Sequence, residues 1–105
     1  MRPLEESSAL HDLQRYVSEM EEERGFASRG VLEQCLLLGE EVGELFKAVR
    51  KHEKMRTGTT SITGTVDKEL ADVLIYVCAI ANRLDDNLEE ALRRKEAVNE
   101  TRVWA

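Results

Sequence analysis

An all-α fold is predicted, a single domain over residues 1–105 built as a four-helix bundle-like protomer, and three observations predict it. Only one proline and six glycines interrupt the 105 residues. Few β-branched runs occur, and apolar residues recur at three and four along four successive segments. Links between those segments are short, which suits helices packed as neighbours.

The first helix is expected from about Ser8 to Arg24, with Leu10, Leu13, Tyr16, Val17 and Met20 on one stripe and Gly25 closing it. The second runs from near Ser28 to about Glu53 and carries Val31, Leu32, Cys35, Leu36, Leu38, Val42, Leu45, Phe46 and Val49. At roughly 25 residues it would be almost 40 Å long. Thr57 to Thr65, TGTTSITGT, reads as a mobile loop. A third helix is expected over about Val66 to Leu84, its buried side holding Leu70, Val73, Leu74, Val77, Ile80 and Ala81. Asp86 or Asn87 then caps a fourth, Leu88 to about Arg102.

Composition narrows the function classes. Charged residues make up 34% and the hydrophobic set 42%, which fits a folded chain with a heavily charged surface. The run Val73 to Ala81 is too short to span a bilayer, and Met1 to Leu10 has no apolar signal region, so a cytoplasmic protein with no membrane partner is expected. Cys35 and Cys78 lack CxxC spacing and read as small buried hydrophobes. A net charge of −6 argues against gripping a nucleic-acid polymer, but not against a small phosphorylated ligand accompanied by metal ions. A chain this short has a marginal core, so pairing of copies is expected.

Glu40, Glu41 and Glu44 stand mid-helix within LLLGEEVGELF, where like charges three and four apart oppose helix formation by about 0.2 to 0.5 kcal/mol per pair. Glu69 and Asp72 repeat the spacing in KELADVLIYV. Helices packed at about 8 to 10 Å would make the two acidic pairs face each other. Such carboxylates are costly to desolvate without cations among them, and oxygen-only ligation suits magnesium or manganese, with calcium an alternative. Gly39 and Gly43 bracket the acids; close approach by another helix or a ligand would account for them, as would simple tolerance. On the fourth helix Leu88, Leu92, Lys95, Asn99 and Arg102 share a face that turns from apolar to polar, and Lys95, Asn99 and Arg102 offer donors to phosphate oxygens. A basic helix end favoured by the macrodipole accounts for Lys95 and Arg102 as well.

These motifs resemble the all-α nucleoside triphosphate pyrophosphohydrolases of the MazG type. EEVGE at 40–44 matches their EExxE, ELAD at 69–72 their ExxD, and Lys95, Asn99 and Arg102 their KxxxNxxR; ERGF at 23–26 agrees more loosely. The resemblance spans about Arg24 to Arg102. It implies a homodimer or homotetramer with active sites built partly across subunits. It also implies magnesium-dependent hydrolysis of a nucleoside triphosphate between the α and β phosphates, in nucleotide-pool house-cleaning. By position, Glu41, Glu44, Glu69 and Asp72 would hold magnesium, with Glu40 beside them to orient or deprotonate water. Lys95, Asn99 and Arg102 would bind the polyphosphate, so that Glu40, Glu41 and Lys95 make up the catalytic set.

The related phosphoribosyl-ATP pyrophosphohydrolases share the acidic pattern, but the histidine they usually show after ExxD is missing from VLIYVCAIANRL. A non-catalytic nucleotide-binding helical module is the alternative from another class. A di-iron carboxylate bundle needs Glu-x-x-His, and the positions three before His11 and His52 are Ser8 and Val49. Base recognition is the least legible part, with Phe26, Tyr76 and Trp104 as aromatic candidates.

Overall fold

The computed structural model describes residues 1–54 and 63–104. They form four helices, α1 (Leu10–Arg24), α2 (Val31–His52), α3 (Val66–Arg83) and α4 (Leu88–Asn99). The loop expected over Thr57 to Thr65 falls largely outside the described residues.

Helix ends follow local chemistry. α1 starts two residues later than expected, where the Asp12 carboxylate accepts from the Ala9 N–H at 3.0 Å. It stops at Gly25, whose φ of 79° is the left-handed conformation that glycine adopts without a Cβ clash. α2 begins at Val31 behind Gly30 rather than near Ser28, because Arg29 N–H is drawn into a turn with the Phe26 carbonyl. Asn87 is the residue that caps α4, its Oδ1 accepting from Glu90 N–H at 3.0 Å, a bond typically worth about 1 kcal/mol. α4 ends at Asn99, short of Arg102.

α2 and α3 pack as the central pair, α1 lies on α3, and α4 is seated on α1. Val17 and Met20 of α1 meet Cys78 and Ala79 of α3 in a small buried cluster, with Leu13, Tyr16, Ile75 and Leu88 packed around it. Gln14 locks the α1–α3–α4 junction. Its Nε2 donates to Asn82 Oδ1 and the Asp86 carbonyl, its Oε1 accepts from Leu88 N–H, and its carbonyl accepts from Asn82 Nδ2. Every side-chain polar atom of this buried amide is thereby satisfied.

α2 departs from ordinary amphipathic order. Gln34 and Ala48 are buried, Glu41 is half-buried, and the three lie at intervals of seven on one face. Leu32, Leu36, Phe46 and Val49, expected among the stripe, are instead exposed, and so is Cys35. Cys78 keeps the buried reading, and its burial pushes the thiol pKa up. On α3, Leu70 and Leu74 are likewise exposed rather than on a buried side. The radius of gyration is 16.3 Å, against about 13 Å for a compact domain of this length, so one chain leaves much apolar surface open.

Candidate active site

The antiparallel α2 and α3 bring three of the expected carboxylates together. One oxygen from each of Glu41, Glu69 and Asp72 lies within 4.8 Å of the other two. Burial pushes the Glu41 pKa above the ordinary carboxylate value, and the charges of Asp72 and Glu69, with a hydrogen bond that protonated Glu41 can donate to Glu69, push it the same way. Glu69 Oε2 is buried with no hydrogen-bond partner. Gly64 stands directly against that carboxylate, where an added Cβ would overlap Glu69 Oε1.

Glu44 is one turn away. It adds to the repulsion at Glu41 but is not one of the clustered three, and its carboxylate pairs with Lys47 Nζ at 3.6 Å. Glu40 is exposed and outside the cluster. Lys95 and Asn99 ride on α4, which is seated on α1 rather than between α2 and α3. Asn99 Nδ2 donates to Glu96, and the Asn99 carbonyl accepts from Trp104 Nε1. Arg102 lies past the helix end with its guanidinium 5.7 Å from the Trp104 ring centre. The expected continuous stripe through Arg102 is therefore broken by the end of α4.

The trio suits a divalent cation. Three hard oxygen donors converge, Glu69 keeps a buried oxygen with no protein donor, and the mutual repulsion of the carboxylates needs a counter-charge.

A cavity of about 180 Å³ adjoins the trio, lined by Glu41 and Asp72 at one side and by Phe26, Arg29, Gln34 and Tyr76 among others. Two of the three aromatic candidates thus border it, whereas Trp104 is exposed at the far segment. The Arg29 guanidinium covers the Phe26 ring at 4.2 Å. In the cavity wall, buried Glu21 receives two bonds from Arg83 and one from Gln34 Nε2 at 3.2 Å. Arg83 also donates to the carbonyls of Phe26 and Arg29, which fixes the turn carrying both side chains. Glu21, Gln34 and Arg83 were not foreseeable from spacing. Of ERGF at 23–26, matched only loosely to the family pattern, Arg24 and Phe26 line the cavity.

Comparison with known proteins places these features in context. The family model of the MazG nucleotide pyrophosphohydrolase domain matches residues 29–101. A dATP/dGTP diphosphohydrolase of Cyanophage S-2L is 36% identical over 66 residues, covering 63% of this chain; the chain spans only half the length of that relative. Two crystal structures of iMazG from Vibrio DAT 722, its Ctag and Ntag forms, each align with a TM-score of 0.67. Identity is 33% and 32%, over 90% and 93% of this chain and 100% of theirs.

Proposed function

Because the chain belongs to the MazG nucleotide pyrophosphohydrolase domain family, we propose that it hydrolyses nucleoside triphosphates between the α and β phosphates, releasing the monophosphate and pyrophosphate. The convergence of Glu41, Glu69 and Asp72 between α2 and α3 carries the reading. These three would hold magnesium, or manganese, with Glu44 turning in to join them. When bound, the cation neutralises phosphate oxygens and lowers the pKa of a water placed for attack on phosphorus.

The residues around the trio divide the remaining work. Glu40, exposed one position before Glu41, would orient or deprotonate the attacking water. Lys95, Asn99 and Arg102 supply donors for the polyphosphate and for the charge that develops on the departing pyrophosphate. In one chain they sit on the segment seated on α1, so a site that uses them draws them from a second copy. The exposed Leu32, Leu36, Phe46 and Val49 of α2 support that assembly, as a homodimer or homotetramer. Gly39 and Gly43, with open space where a Cβ would stand, lie on the same helix.

Purine deoxynucleoside triphosphates head the substrate list, since the phage relative is a dATP/dGTP diphosphohydrolase. The biological role in this reading is cleansing of the cytoplasmic nucleotide pool. The test incubates the protein with each common nucleotide and magnesium and assays pyrophosphate and inorganic phosphate separately. Metal-dependent pyrophosphate is expected. Glu41→Gln or Asp72→Asn should each lose at least about a hundredfold in rate, as removal of one strong electrostatic contributor does. Magnesium-dependent nucleotide binding with no product would identify a binding module instead, and release of inorganic phosphate alone would place the cleavage at another bond.

A further inference from the structure

Two glutamines are buried in this chain, and they differ in one atom. Gln14 satisfies both ends of its amide, whereas Gln34, only 2% exposed, satisfies one. Gln34 Nε2 donates to Glu21 Oε2 at 3.2 Å, and Gln34 Oε1 has no partner. The amide cannot turn over to relieve this. Both Glu21 oxygens already accept from Arg83, and a flipped amide would set oxygen against oxygen. A buried acceptor left open is rare in native proteins and points to a donor supplied from outside.

Gln34 lines the cavity that Glu41 and Asp72 also border. The positions 34 and 41 are seven apart on one face of α2, about 10 Å along the axis, a span bridged by a nucleoside and its first phosphate. At about 180 Å³ the cavity is smaller than the roughly 300 to 1,000 Å³ of pockets that enclose a whole drug-sized ligand, so it suits a ring system rather than an entire nucleotide. Phe26 and Tyr76 supply apolar faces for such a ring.

We propose that the cavity takes the purine ring of the substrate and that Gln34 Oε1 accepts a hydrogen bond from an exocyclic amino group on it, making Gln34 a specificity-determining residue. The proposal rests on the nucleotide pyrophosphohydrolase reading above. Glu21 and Arg83 act as positioning residues: they hold the amide with its oxygen, not its nitrogen, toward incoming donors. A ring without an amino group leaves that oxygen open, and selection against it follows.

The experiment compares purine nucleotides that differ by the amino group alone: dATP against the triphosphate of unsubstituted purine deoxyriboside, and dGTP against dITP. In the parent protein kcat/KM should favour the amino-bearing member of at least one pair by about tenfold or more, the size of one good hydrogen bond. In Gln34→Met the ratio should fall to within about twofold. Calorimetric binding of the corresponding monophosphates to the parent protein needs neither turnover nor a folded variant, and should give the same preference. Discrimination in binding without pyrophosphate release would uphold the amino recognition and defeat the assigned reaction. Equal treatment of both pairs by the parent protein, or a preference that survives intact in Gln34→Met, would overturn the proposal.

Discussion

Arg83, in the last turn of α3, grips the buried carboxylate of Glu21 near the end of α1 with both terminal nitrogens. Its remaining donors hold the carbonyls of Phe26, Arg29 and Ala79. The Glu21 hydrogen bond raises the already high guanidinium pKa, so Arg83 stays charged throughout the accessible range. The ion pair ties three segments together at the cavity wall, and Gln34 takes its orientation from Glu21.

Arg83→Met should therefore destabilise the protein strongly, because it strands a carboxylate that is 4% exposed. Breaking a buried pair from one side costs about 3 to 5 kcal/mol. Adding Glu21→Gln to Arg83→Met removes the stranded charge and should restore more than half of the loss. Urea denaturation at neutral pH measures both; a single variant within about 1 kcal/mol of the parent would mean that the pair is not structurally coupled to the fold.

Glu41 predicts the pH behaviour of the metal-free protein. Its pKa in the folded chain is raised above 4.5, by burial first and then by Asp72 and Glu69. Between 4.5 and that raised value the folded state binds more protons than the unfolded one, so stability from this group declines as pH rises through the interval. Above the folded pKa the full cost is present. In EDTA, Glu41→Gln should melt higher than the parent at neutral pH, and the gap should close as pH falls toward 4.5. Magnesium should raise the parent's melting temperature, as any ligand bound only by the native state does, and should raise that of Glu41→Gln less. A gap that is constant with pH would show Glu41 to be solvated.

Gly64 offers a separate handle on the same cluster. An alanine there sets a methyl group on Glu69 Oε1, yet its backbone requires no left-handed conformation, so the substitution acts by contact rather than by strain. Gly64→Ala should weaken magnesium binding about ten- to a hundredfold, the usual cost of disturbing the support of a metal ligand. Metal-free stability should change little. Calorimetric titration with the cation checks the first outcome and thermal melting the second.

The legible and illegible parts of the molecule divide along physical lines. Stop and start signals are local, so Gly25 marked the end of α1 and Asp86 or Asn87 the start of α4, where Asn87 proves to be the cap. The ExxD and EExxE spacings set carboxylates on helical faces, and α2 against α3 then brought Glu41, Glu69 and Asp72 together. Glu44 stands apart from the three, and Lys47 three residues on offers its carboxylate a nearby cation. The apolar positions of α2 misled for a deeper reason. Periodicity reveals that a stripe exists but not what covers it, and here the face toward α3 carries Gln34 and Glu41 while Leu32, Leu36 and Phe46 point away. Gln34 and Arg83 were silent in the sequence, since a single polar residue on a helix carries no sign of its long-range partners.

That outward apolar face makes the last prediction. Leu36 and Phe46 are 67% and 64% exposed on α2, and leaving such side chains in water forgoes roughly 1.5 to 3 kcal/mol each relative to full burial. A second copy seated on this face would recover that energy and bring another α4 within reach of the carboxylates. Leu36→Lys combined with Phe46→Lys should convert the assembly to monomers, because the new charges would have to be desolvated at the contact. Helical circular dichroism should persist, since neither side chain is buried within its own chain. Sedimentation measures the mass, and pyrophosphate release should fall with it if Lys95, Asn99 and Arg102 reach the site from the second copy. A parent protein that sediments as a monomer while fully active would refute the shared site, and a monomeric double variant with undiminished turnover would do the same.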